Sequence, residues 1–120
     1  MKTNVKPEKQ FVLDYVAENA DALAGVCDSL FWFGEPAMQE ERSAELLSGI
    51  LEDGGFSVER GISGFPTGFM ATYGEGEPVI AVHTEYDAAP NNSQQPGVGE
   101  HAAIVEGAPG HCEGHNVNGA

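Results

Sequence analysis

Positive charge is scarce in this sequence. Five Lys and Arg stand against 19 Asp and Glu in 120 residues, a formal net charge of −14. A surface of that sign repels phosphates, so a nucleic-acid partner is not expected. Nor is there a polybasic segment to hold an anionic membrane. The charge favours solubility. Long hydrophobic runs are missing too: none approaches the ~18 apolar residues that span a bilayer. The opening MKTNVKPEKQ has lysines but no apolar segment with a cleavage site behind it, so a cytoplasmic location is the expectation. Cysteine is nearly absent. Cys27 and Cys112 make no disulfide framework, and Cys27 is expected as a small buried residue of a helix. Histidine is missing from the first 82 residues, and all four, His83, His101, His111 and His115, fall within the next 33.

What is present fits one domain or part of one. Apolar residues make up 41% of the chain, compatible with a packed core, although a chain this short leaves a small stability margin. Apolar residues recur at spacings of three and four through Phe11, Tyr15, Ala22, Val26 and Leu30, which predicts a helix over 8–33, closed by Gly34 and Pro36. A second helix is predicted over 37–53, burying Leu46, Leu47, Ile50 and Leu51, with Gly54 as its left-handed cap. The period then becomes two. Strands are predicted at 56–62 and 68–74, and a third at 78–87. The first part of that third strand, PVIAV, is apolar on both faces, the pattern of a central strand covered on both sides. Residues 88–110 predict no regular element, and a loop of that length in a compact domain is usually functional.

Two segments carry the chemistry. In HTEYD, residues 83–87, His83, Glu85 and Asp87 alternate and so point to one side of a regular strand. They lie at its C-terminal end, where open α/β sheets bind ligands. Taken alone, they also fit a strand that turns polar as it leaves the core. In GAPGHCEGHN, residues 107–116, two histidines, a cysteine and a glutamate share five positions between glycines. Imidazole and carboxylate are common ligands of zinc and manganese, and glycine lets the backbone approach closely. A strand end and a glycine-flanked turn can converge on a metal. His101, in the long loop, reads as an exposed loop histidine.

The succession TEYDAAP, Ser93-Gln94 and APGHCEGHN resembles the aminoacylase and aminobenzoyl-glutamate hydrolase family of metallopeptidases, peptidase family M-twenty. The resemblance is to its aminobenzoyl-glutamate utilisation protein B group in particular, whose motifs are G-E-[FY]-D-A-L-P, S-Q and A-P-G-H-G-C-G-H-N. It covers nearly the whole chain, because the helix–helix–strand order also fits the start of that family's catalytic domain. The implied fold is α/β, the N-terminal portion of a three-layer α/β/α catalytic domain. The implied cofactors are two divalent metal ions, Mn2+ or Zn2+. By the same resemblance Asp87 orients a metal ligand, Glu85 stands where many relatives have a metal-binding histidine, and His115 is a ligand. His111 faces substrate or supports the site, as one candidate donor to a developing oxyanion. Asn116 is expected to cap a helix beginning beyond His115.

The turn departs from the family pattern. GHGCGH is here GHCEGH, so Cys112 comes one residue early and Glu113 takes the cysteine's slot. Either Glu113 bridges the metals or Cys112 is the ligand in an adjusted turn. Glu113 is favoured because it keeps the two-residue spacing to His115, and a carboxylate there shifts preference towards manganese. His83 is a further secondary candidate. The implied reaction is hydrolysis of a C–N amide bond in an N-acyl or aroyl amino acid. Two alternatives stand beside it: hydrolytic deamination of an activated aromatic amine, and a non-catalytic metal-binding or interaction fragment. In the family the general-base glutamate, further ligands and the lid or dimerisation domain come later in sequence. The expected partners are therefore a small-molecule amide, the rest of the catalytic chain or a complementing polypeptide, and, for the complete enzyme, further copies in a homo-oligomer.

Overall fold

A computed structural model describes residues 5–120. Its first helices are α1, Pro7–Glu18, and α2, Ala20–Phe33. Pro7 sits at the start of α1, where its missing N–H costs nothing. The single helix expected over 8–33 is broken at Asn19. The Asn19 backbone N–H and its side-chain Nδ2 both donate to the Tyr15 carbonyl, at 3.0 and 2.8 Å. An amide side chain that bonds its own backbone competes with helix continuation. Gly34, at φ 52°, closes α2 as expected, donating to the Leu30 carbonyl at 3.1 Å.

Helix α3 spans Glu41–Asp53 and starts four residues later than the sequence pattern suggests. Its cap comes from the preceding loop. Glu35 accepts from the Arg42 N–H through Oε1 at 3.0 Å, and from the Ser43 N–H and hydroxyl through Oε2 at 2.9 and 2.8 Å. A carboxylate at this end satisfies free N–H groups and complements the helix dipole. The buried face holds Ser43, Leu47 and Ser48, whereas Ile50 is exposed. The left-handed residue after α3 is Gly55, φ 87°, and not Gly54, φ −74°.

Strands β1, Ser57–Arg60, and β2, Phe69–Thr72, form an antiparallel pair running from Ser57↔Thr72 to Arg60↔Phe69. The alternating patterns of 56–62 and 68–74 therefore led to real strands, shorter at each end. Arg60 ties β1 to α3 through a two-pronged pair with Glu52, at 2.6 and 2.8 Å, and a bond to Ser48 Oγ at 3.0 Å. The last element is α4, His115–Gly119, which packs on α2.

The third strand is a correction. Residues 78–87 form no strand, and the sheet has two members among the described residues. Val79, Ile80 and Val82 are 77%, 83% and 90% exposed. The physical reason is the absence of a neighbour: an extended apolar segment becomes a strand only when another strand takes its hydrogen bonds and a layer covers its faces. Among the described residues nothing does either for 79–82. Chain order reappears at the next residues, through the Pro36↔Ala88 and Ala89↔Gly110 bridges. Helices and a small sheet are compatible with a piece of an α/β fold, and the layers themselves are not formed. Among the described residues the buried apolar side chains are Leu30, Leu47 and Ala88. The radius of gyration is 16.9 Å, against about 14 Å for a compact domain of this length. Among the described residues no helix is long and apolar enough to cross a membrane.

Candidate functional site

The site is built where 84–88 and 108–119 meet above the C-terminal end of α2. Two tight contacts hold them there. Gly110 exchanges both backbone hydrogen bonds with Ala89, at 3.0 and 3.1 Å. A Cβ at Gly110 would sit 2.1 Å from the Asn92 carbonyl oxygen, so only glycine allows this crossing. At the far end, Gly119 lies against Tyr86 and Leu30, where a Cβ would come within 3.0 and 3.1 Å of their side chains. The Thr84 hydroxyl donates to the Asn118 carbonyl.

His115 is the centre of the arrangement. It is the first residue of α4, set by the left-handed Gly114 at φ 85°. Its Nδ1–H donates to Asp87 Oδ1 at 2.8 Å. Its Nε2 lies 3.1 Å from Glu85 Oε2 and 3.5 Å from Glu113 Oε2. Three carboxylates thus surround one imidazole whose side chain is 17% exposed. Burial pulls the His115 pKa down, but the Asp87 hydrogen bond and the charges of Asp87, Glu85 and Glu113 outweigh it, and the net shift is upward.

Tyr86 explains how the two acids are presented. It stands between Glu85 and Asp87 and turns away from His115. Its hydroxyl donates to the Thr67 carbonyl, its ring stacks on Phe69 at 5.9 Å, and the Thr67 hydroxyl donates to the buried Glu40 carboxylate at 2.5 Å. Burial, then the charges of Glu40 and Glu35, push the Tyr86 phenol up to about 12. Residue type and motif do not single out Tyr86. Its signal is the alternation itself: if Glu85 and Asp87 share one side, Tyr86 must find a partner on the other.

His111 is tied elsewhere. Its Nε2–H donates to the Leu30 carbonyl at 3.0 Å, and its Nδ1 is buried without a hydrogen-bond partner. Burial, opposed by that hydrogen bond and aided by His115, lowers its pKa, so the neutral ring is favoured. Cys112 and His83 are exposed and stand outside the His115 cluster. Asn116 does not cap α4. Its Nδ2 reaches back to Cys27, 3.4 Å from the carbonyl and 3.1 Å from Sγ, and pins α4 to α2. Cys27 is half-buried rather than buried.

The donor chemistry suits a divalent cation. Two ligands bound at about 2.0 Å to one tetrahedral zinc lie about 3.3 Å apart, and the separations from His115 Nε2 to Glu85 and Glu113 bracket that value. Asp87 on Nδ1 leaves Nε2 as the ligating nitrogen, the usual second partner of a metal-bound histidine. Among the described residues, however, no three of these side chains are arranged around a common point as a finished metal site. They bond to one another through His115 instead.

No family model matches the chain. The chain is similar to a p-aminobenzoyl-glutamate hydrolase of Escherichia coli (strain K12), to one of that enzyme's component polypeptides, with 36% identity over 110 residues. The match takes in 92% of this chain and 23% of that protein, so the chain spans about a quarter of the length of the curated relative. The similarity supports the aminobenzoyl-glutamate hydrolase group suggested by the short motifs, and with it a relationship to an amide-cleaving hydrolase.

Proposed function

We propose that this segment is the N-terminal portion of an M-twenty-type metal-dependent amidohydrolase domain that cleaves an N-acyl or aroyl amino acid. The observation that carries the reading is the convergence on His115 of carboxylates from two separate segments, in a chain similar to a hydrolase of that substrate class. Hydrolysis adds water across the amide, breaking the C–N bond and leaving a carboxylate and an amine. His115 Nε2, Glu85 and Glu113 would hold divalent metal, Mn2+ or Zn2+, two ions in the complete site. When bound, the metal would polarise the amide carbonyl and lower the pKa of water beside it.

The chain's own residues do the rest of what this segment contributes. Asp87 takes Nδ1–H and fixes the ring so that Nε2 faces Glu85 and Glu113. Tyr86 holds the two acids to the Thr67 carbonyl and to Phe69 of β2. His111 fastens the turn to the end of α2. The general base, the remaining ligands, the small-molecule amide and any oligomer contacts would come with the rest of the hydrolase.

The test is metal content per protein and amidase activity in the complete hydrolase. Glu113→Gln keeps size but removes the charge, so both should fall strongly. Cys112→Ser should leave metal content nearly unchanged. The opposite ranking would transfer the ligand role to Cys112, because a serine hydroxyl binds far more weakly than a thiolate. Full activity in metal-free protein would end the metallohydrolase reading.

A further inference from the structure

We propose that the cleft between the 91–94 turn and His101, His111 and Cys112 seats the uncharged acyl side of the substrate, as opposed to its amino-acid side. This rests on the amidohydrolase reading above and adds where each half of the substrate goes. The first observation is position. Cys112 lines the cleft and directly precedes Glu113, which lies 3.5 Å from His115 Nε2, so the cleft opens beside the carboxylate–histidine cluster.

The second is charge. The chain carries 19 acids, yet among the described residues lining this cleft there is no Asp, Glu, Lys or Arg. The other cavity of note, by contrast, is lined by Glu41, Glu45 and Arg60. With no lysine or arginine in its lining, the cleft offers no fixed counter-charge to a carboxylate, which is costly to desolvate unpaired. It accepts a neutral group and leaves the charged amino-acid end outside. The third is size. The volume of about 200 Å³ suits a single ring, since a cavity of about 150 Å³ is enough to take benzene.

The walls are also held in place. Gln94 accepts from the Ala102 N–H at 3.0 Å and donates to the Glu100 carbonyl at 2.9 Å. Ser93 Oγ accepts from the Val105 N–H at 3.2 Å, while the Gln95 and Ser93 N–H groups donate to the Ala102 and Ala108 carbonyls. His111 is fastened to α2. The long loop is therefore cross-braced, as binding loops must be to hold a shape.

The experiment uses the complete hydrolase and two substrate series: N-acetyl, N-benzoyl and N-naphthoyl glutamate, then N-benzoyl glutamate against N-benzoyl alanine. His101 is an exposed loop residue, so replacing it should leave the fold intact. His101→Trp, which fills the cleft, should raise KM for benzoyl over acetyl substrates about tenfold or more. His101→Ala should relax rejection of the naphthoyl group. Neither should change the glutamate-to-alanine preference. A change in that preference, or no change in either series, overturns the proposal. If the wild-type enzyme hydrolyses no N-acyl amino acid, the reaction reading fails instead, and binding of 4-aminobenzamide decides the cleft. Shifts of the His101 and His111 ring signals uphold it, and their absence overturns it.

Discussion

Two stretches only a few residues apart behave in opposite ways. Residues 79–82 are apolar and bare, their side chains mostly in solvent. Residues 84–88, which carry the acids, are anchored on both sides: Thr84 to Asn118, Tyr86 to Thr67, Asp87 to His115 and Ala88 to the Glu35 carbonyl at 2.8 Å. An apolar segment gains stability only from an area of neighbour, which must be supplied in bulk. A polar segment can be fixed by a few directed bonds from nearby loops. The geometry of the candidate site thus depends on backbone crossings and hydrogen bonds more than on a core.

The sharpest way to break that contrast is Gly110→Ala. Its Cβ would collide with Asn92 and Ser93 backbone atoms at 2.1, 2.5 and 2.8 Å, none of which can rotate away. The expected cost is about 3 kcal/mol, the upper part of the overpacking range. Gly99→Ala, with open space around it, should stay within about 0.5 kcal/mol. Urea midpoints of the two variants measure the difference, and equal midpoints would remove the crossing as the site's support.

The apolar half of the comparison gives the next effect. Leu30 is fully buried under the site, so Leu30→Ala should cost about 2–5 kcal/mol. Val82→Ala should change the 120-residue chain by no more than about 0.5 kcal/mol. In the complete hydrolase the same Val82→Ala should become as costly as a core truncation if 78–87 gains strand neighbours there. A small effect in both would mean that the segment is surface in either setting.

These two positions also show what could be read in advance. Leu30 and Val82 look alike in the sequence, since each belongs to an apolar pattern that predicts burial, a helical stripe for one and a continuous run for the other. Such patterns report which faces want covering and are silent on whether a cover exists, so the pattern at 78–87 predicts a strand that does not form, whereas those at 56–62 and 68–74 do form β1 and β2. The boundary at Asn19 and the late start of α3 were missed because single side-chain bonds set them, Asn19 to Tyr15 and Glu35 to Ser43. That the strand end at 83–87 and the turn at 111–115 could meet was legible in residue type, alternation and glycine spacing, while the singling out of Glu85, Glu113 and His115 came with the family resemblance. The brace through Tyr86 and the retention of Asn116 by Cys27 depend on contacts between distant segments, which spacing does not encode.

Asp87→Asn tests the polar half directly. The amide keeps the size but loses the charge that orients His115, so metal affinity or activity of the complete hydrolase should fall about 10–100-fold. Metal titration measures it, and unchanged affinity would show that Glu85 and Glu113 orient His115 without Asp87.

The smallest effect is also the most specific, because two histidines in one turn should have their pKa values displaced in opposite directions. For His115 burial acts against protonation, yet Asp87, Glu85 and Glu113 prevail and raise its folded pKa above the unfolded value of about 6.5. That stabilisation is fully present below the unfolded pKa and is lost as pH rises through the folded one. For His111 burial prevails and lowers the folded pKa. Its neutral form fits the fold above the unfolded pKa, and stability is lost as pH falls through the folded one. Metal-free protein should therefore be most stable between the two windows, near neutral to slightly acidic pH. Proton NMR of the ring signals should give a His115 midpoint above about 6.5 and a His111 midpoint below it. In Asp87→Asn the His115 midpoint should drop towards the ordinary value. His111, set mainly by its burial and the Leu30 carbonyl, should move little, because losing the Asp87 charge lowers it while any fall in His115 charge raises it. Coincident midpoints in the wild type would mean that the three carboxylates do not gather on His115 in solution, and the local site would lose the bonds that distinguish it from the bare segment beside it.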